Sequence, residues 1–254
     1  MSKPVVALQL YTVRDFASQD LPGTLKKLKE YGYDAVETAG TYGMETSELK
    51  KLFDDIGLKV VSAHVPAEAL QADAAATVAQ YKALGSKVVS IPWLGLESLP
   101  SGENFEATKA LMIKTAALCK EHDMVLAYHN HDFEFKTLPC GTFVLDALFD
   151  ALPADVLQAQ IDTGWVTAAG HDPVPYVGKY AGRCPSVHLK DIVKVDGKYE
   201  DRPVGKGIQD MPAVVKAAIE AGAIHLVVEL DDAVGMTSLE AAKQSREYLK
   251  SIGY

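Results

Sequence analysis

The chain has 254 residues, 48% of them hydrophobic and 23% charged, the composition of a globular protein long enough to build its own core. A formal net charge of −9 repels phosphate backbones and argues against a general nucleic-acid binder. No apolar run approaches the ~20 residues of a membrane span, the first residues lack the order of a signal peptide, and the three cysteines Cys119, Cys140 and Cys184 form no CxxC pair, so a reducing cytoplasmic setting is expected.

A Val- and Leu-containing run near 5–12 reads as the first strand. An amphipathic stretch near 21–31 follows, ends at Gly32, and leads into a short run near 34–38. The same unit recurs: helix near 46–56, Gly57, strand near 59–65; helix near 72–84, Gly85, strand near 87–93. A glycine just past a helix fits the left-handed position that terminates it, where a Cβ would be strained. Further helices are expected near 104–122, 141–151, 174–181, 208–221 and 237–251, and further strands near 125–131, 157–163, 184–190 and 225–231. Val- and Ile-rich strands alternating with helices mean βαβ units and a buried parallel sheet. Eight such units in about 250 residues predict an α/β fold, a single (β/α)8 barrel over residues 1–254. A doubly wound sheet is disfavoured because Leu10-Tyr11-Thr12-Val13 stands where a GxGxxG turn belongs.

Barrel active sites lie at the C-terminal ends of the strands, and polar residues collect there. Strand ends carry Gln9 and Tyr11, Glu37, His64, Trp93, His129 and His131, Gln160 and Asp162, His188 and Lys190, and Glu229 and Asp231. Residues two apart on a strand share a face, so several carboxylates and imidazoles converge if those faces line the barrel. Carboxylates so close repel one another unless a cation holds them. One divalent metal is the simplest such cation; Mn2+, Mg2+, Co2+ and Zn2+ all suit mixed oxygen and imidazole ligands, and spacing alone does not choose among them. Each residue also has a plainer reading. Asp162 can cap the turn at Thr163-Gly164, His188 can be a satisfied core histidine, and Gly205-Lys206-Gly207 is either a phosphate cradle or a hinge.

The run Val187-His188-Leu189-Lys190-Asp191, the strand Ile161-Asp162-Thr163-Gly164, the strand end Val228-Glu229 and the loop Val204-Gly205-Lys206-Gly207 resemble the xylose-isomerase-like TIM-barrel superfamily. The resemblance runs from Gly32-Tyr33-Asp34-Ala35-Val36-Glu37 to Glu229. It implies a divalent metal held from strands 5, 6, 7 and 8, with Asp162, His188 and Glu229 carrying over directly. On strand 5 many members have Leu-Glu-Asn-His, whereas this chain has Tyr128-His129-Asn130-His131. Glu134 is favoured as the fourth ligand because it keeps three carboxylates and one imidazole, with His131 as second choice.

The resemblance implies a metal-dependent isomerase or epimerase acting on a sugar or keto-sugar through a metal-stabilised enediolate. Glu229, Glu134 and His131 are the candidate proton carriers. His64, Lys190, Glu37, His129 and Trp93 are the candidate substrate-binding residues. The same intermediate can expel a leaving group, so a lyase or dehydratase on a keto-sugar or keto-glycoside is the alternative. An endonuclease IV-like repair enzyme and a metal-free sugar-binding barrel rank lower. The expected partner is a small sugar, with neither nucleic acid nor membrane, and the oligomeric state stays open to a homo-oligomer.

Overall fold

The computed structural model describes residues 3–254. Its strands are β1 (Val5–Gln9), β2 (Ala35–Ala39), β3 (Lys59–His64), β4 (Val88–Ile91), β5 (Val125–His129), β6 (Gln158–Asp162), β7 (Ser186–Leu189), β8 (Asp191–Val195), β9 (Lys198–Arg202) and β10 (His225–Val228). Eight of them close a parallel barrel in the order β1-β10-β7-β6-β5-β4-β3-β2. Closure is made by the first and last strands, with Val5 to Leu8 in register with His225 to Val228. Helices run between the strands, including Leu21–Tyr31, Thr46–Ile56, Ala67–Leu84 and Phe105–Glu121. The expected (β/α)8 barrel is therefore what the chain forms. Among the described residues, no helix is long and apolar enough to cross a membrane.

The glycine signals correspond to real helix ends. Gly32, Gly57 and Gly85 cap three of these helices with φ of 93°, 79° and 100°, backbone that a Cβ would strain.

Two packing layers explain why the polar residues converge. The larger apolar cluster includes Leu8, Val36, Leu126, Ile161, Val187 and Val228 together with helix residues such as Leu25, Leu28 and Phe53. A separate small cluster contains Ala7, Ala35, Val61 and Val227. Two residues beyond Ala7, Ala35 and Val227 on their strands stand Gln9, Glu37 and Glu229, all buried. The strand period thus carries the inward face from small apolar residues near the bottom to polar ones at the top.

One element was not anticipated. Strands β8 and β9 form an antiparallel hairpin outside the barrel, pairing Asp191 with Arg202 and Val195 with Lys198. Its two-residue turn is Asp196-Gly197, with positive φ at both positions (49° and 81°), the conformation for which Asp-Gly is suited.

Candidate active site

Glu37 is the deepest charged group of the site and is fully buried. Gln9 Nε2 donates to its Oε1 at 2.6 Å and Gln160 Nε2 to its Oε2 at 2.7 Å. His64 Nε2 lies 3.0 Å from Oε1 and 2.8 Å from Gln160 Oε1. His188 Nε2 is 2.8 Å from the same Glu37 oxygen, off the line of a good hydrogen bond. Burial pushes the Glu37 carboxyl up, but His64 and His188 outweigh it and hold it at about 2.

His188 stands between two carboxylates. Its Nδ1 lies 2.9 Å from Glu229 Oε2, on the side opposite Glu37. Burial favours the neutral ring, yet Glu37 and Glu229 raise it to about 10. Glu229 in turn is held well below the carboxylate range, because Lys190 and His188 overcome its burial. Lys190 is buried itself, 1% exposed, and its Nζ lies 2.5 Å from Asp231 Oδ2, 3.4 Å from Glu229 Oε2 and 3.6 Å from Asp162 Oδ2. Three carboxylates around one ammonium keep the lysine charged despite its burial.

Asp162 has its two carboxylate oxygens in different surroundings. Its Oδ1 accepts from Trp165 N at 2.8 Å, capping the short helix Thr163–Ala168. Its Oδ2 is buried without a hydrogen-bond partner among the described residues. His129 Nδ1 is likewise buried and unpartnered, and burial pushes that imidazole well down.

One ligand atom each from His129, Asp162, His188 and Glu229 lies within 4.8 Å of every other, and all four residues are buried. Orphaned atoms on Asp162 and His129, beside two carboxylates and two imidazoles, fit one divalent cation by donor chemistry. Above the group opens a cavity of about 580 Å3 lined by Tyr11, Arg14, His64, Pro66, Pro92, Trp93, His129, His131, Glu229, Asp231 and Asp232, among others.

A model of the xylose isomerase-like TIM barrel family matches residues 25–252. The chain belongs to that family. Inosose dehydratase of Clostridium perfringens is 36% identical over 81 residues, which is 32% of this chain and only 26% of that protein. The homologous enzyme of Clostridium botulinum Alaska E43 is 24% identical over 257 residues, covering 86% of this chain and 85% of the relative. A sugar phosphate isomerase/epimerase from Parabacteroides distasonis shares the fold with a TM-score of 0.83 at 22% identity, over 100% of this chain and 96% of that one. The IolI protein, whose structure carries a zinc atom, superposes with a TM-score of 0.74 at 16% identity, over 98% and 97% of the two chains.

Within this family barrel, Asp162, His188 and Glu229 come together as expected, and His64, Glu37, Lys190, His131 and Trp93 lie in or beside the cavity and its floor. Glu134, expected as the fourth ligand, does not join the group. Its Oε1 accepts from the Tyr128 hydroxyl at 2.6 Å and its Oε2 from His131 N at 2.8 Å. Tyr128 precedes His129 on β5 and so faces the opposite side of the strand. Glu134 is thereby held behind the barrel wall, where burial raises its carboxyl to about 7. On strand 5 the side chain that stands within the group is His129.

The phosphate-cradle alternative for Gly205-Lys206-Gly207 also fails. Asp191 Oδ2 accepts from Gly205 N at 3.0 Å and from Gly207 N at 2.8 Å, so a built-in carboxylate already uses those amides. Gln9 and Gln160, noted from the sequence only as strand-end polar residues, fix Glu37, and Arg14 and Asp201, which the sequence did not single out, shape the rim. Asp201 Oδ2 accepts from the backbone N of Asp231 at 2.5 Å and of Asp232 at 3.2 Å.

Proposed function

We propose that the chain is a divalent-metal-dependent lyase of the dehydratase type, acting on a keto-sugar or related keto-polyol. The observation that carries this reading is the strand-5 position, where His129 rather than a carboxylate stands beside Asp162, His188 and Glu229. A two-carboxylate proton relay of the epimerase kind needs a second acid beside Glu229, and Glu134 is tied to Tyr128 and His131. Elimination needs only one. The similarity to inosose dehydratases supports the same choice.

His129, Asp162, His188 and Glu229 would hold the cation, and two imidazoles among four donors favour Mn2+, Co2+ or Zn2+ over Mg2+. When bound, the ion supplies Lewis acidity that polarises substrate oxygens. Glu229, ionised beside Lys190 and His188, takes the proton from the carbon next to the substrate carbonyl. The freed electron pair closes a C=C bond while the substituent on the following carbon departs with its bonding pair. The protonated Glu229 returns its proton to that departing oxygen, so the net change is loss of one water or alcohol. His64 and His131 orient hydroxyls from the cavity wall.

A second reading, isomerase or epimerase, is favoured by one feature. His131 Nδ1 is buried without a partner among the described residues, on a ring that burial lowers to about 4 and so leaves neutral. A neutral imidazole lining the cavity is able to carry a second proton besides that of Glu229. The two readings separate by NMR in D2O with Mn2+- or Zn2+-loaded protein, using inososes, 3-keto-glucosides and free ketoses. The lyase reading expects water or alcohol released with appearance of an enone. Deuterium entering an epimer or isomer with no elimination overturns it in favour of the second.

A further inference from the structure

The outer part of the cavity has a composition unlike its floor. Tyr11 is 44% exposed and Trp93 is 54% exposed, and both line the cavity together with Pro66 and Pro92. Large aromatic side chains left open to water on a cavity wall are the usual mark of an apolar contact surface. These two are braced. The Arg14 guanidinium sits 4.1 Å from the centre of the Tyr11 ring, and the Trp93 ring lies 6.3 Å from that of Phe133 at an interplanar angle of 60°.

The charges of the rim are of the wrong kind for a phosphate. Glu229, Asp231 and Asp232 line the cavity, against Arg14 as its one Lys or Arg among the described residues. Arg14 is already engaged, with Nη1 donating to the carbonyls of Asp231 (2.7 Å) and Tyr11 (3.1 Å) and Nη2 to Asp232 Oδ1 (3.3 Å). Lys190 is committed to Asp231, and the glycine-loop amides are committed to Asp191. A cavity of about 580 Å3 also offers more room than one hexose ring fills; pockets of ~300–1,000 Å3 take ligands of drug size.

We propose that the outer cavity is a subsite for an apolar, aromatic-sized substituent on an unphosphorylated keto-sugar, with Trp93 and Tyr11 as its specificity-determining residues. The keto-sugar part of this statement rests on the function proposed above; the aromatic subsite rests on the wall alone. In elimination terms, the substituent is the group that departs as an alcohol, and the proton balance is the one already given.

Isothermal titration of metal-loaded protein with methyl 3-keto-β-D-glucoside, phenyl 3-keto-β-D-glucoside, phenol and glucose 6-phosphate tests the subsite. Phenyl glucoside should bind about tenfold more tightly than methyl glucoside, as one stacked ring contributes, and glucose 6-phosphate should bind more weakly than either. Trp93→Ala should bring the phenyl-to-methyl ratio towards one, and Trp93→Phe should keep most of it. Circular dichroism of both variants checks that they fold, and Tyr11→Ala provides an independent second measurement of the same ratio. A ratio near one in the wild type, a ratio untouched by Trp93→Ala and Tyr11→Ala, or tightest binding by glucose 6-phosphate overturns the proposal. If phenol binds in a Trp93-dependent way while neither glucoside binds or reacts, the aromatic subsite stands and the keto-sugar reading is the part that fails.

Discussion

Glu229 Oε2 and His188 Nδ1 face each other across 2.9 Å, with Glu37 2.8 Å behind the other ring nitrogen. In the metal-free protein a proton is therefore shared by this pair, and a cation that takes both atoms has to displace it. His188 is raised to about 10, so at neutral pH the ring carries its proton until the metal arrives. Titration calorimetry in buffers of different ionisation enthalpy should show about one proton released per ion bound, and metal affinity rising with pH across 6–9. Binding without proton release would mean that His188 is not a ligand.

Strand 5 gives a ranking of two variants. His129→Asn removes an atom of the four-residue group and should cut metal occupancy sharply. Glu134→Gln keeps one acceptor for two donors, Tyr128 and His131 N, and should lower stability by about 1–3 kcal/mol with a smaller effect on metal binding. Metal analysis after dialysis, alongside thermal melts, checks the order; the reverse order would reinstate Glu134 as the ligand.

Lys190 is the cation the metal-free site already has. Lys190→Met leaves Asp162, Glu229 and Asp231 facing one another without it, and removing one partner of a buried ion pair typically costs about 3–5 kcal/mol. The variant should melt far below wild type in chelator. Added Mn2+ or Zn2+ should recover more stability in the variant than in wild type, because the ion no longer competes with an ammonium 3.4 Å from Glu229. Equal metal-induced shifts in Tm would show that Lys190 and the cation do not compete.

The metal-free protein should be most stable on the acid side of neutrality. Glu37 is lowered to about 2, so its contribution is present above its unfolded value near 4.5 and is lost as pH falls towards 2. His188 is raised to about 10; its contribution is complete below about 6.5 and is lost as pH rises through 10. Glu134, raised to about 7, contributes most below 4.5 and loses that contribution as pH climbs through 7. Melts in chelator should peak between about pH 4.5 and 6.5, whereas a maximum above pH 8 would contradict these directions.

Much of this was legible beforehand, for identifiable reasons. Two-residue alternation marks Asp162, His188 and Glu229 because a buried strand has few other places for a polar side chain, and glycine after helix marks the βα units because φ near +90° admits little else. Counting charges points to Glu134 over His129, whereas the structure brings His129 to the group. The Tyr128 hydroxyl on the other face of β5 donates to Glu134, a partner that charge counting does not register. Gly205-Lys206-Gly207 misled for a similar reason, since the carboxylate that occupies its amides belongs to Asp191, fourteen positions before Gly205. Local sequence reports which groups are available, not which long-range partner reaches them. The hairpin does carry a local signal, the Asp196-Gly197 pair at its turn.

The way the barrel closes has a kinetic side. His129, Asp162 and His188 come from strands that follow one another along the wall, whereas Glu229 follows β10, which has to enter between β7 and β1. Val5 and His225 are paired from more than two hundred residues apart, the kind of contact that forms slowly because the loop-closure entropy comes first. Until then β1 and β7 present open edges, the surfaces through which folding intermediates aggregate. A cation that needs Glu229 as well as the three earlier ligands is captured only by a ring that has shut, so its uptake during refolding would time the last step of assembly.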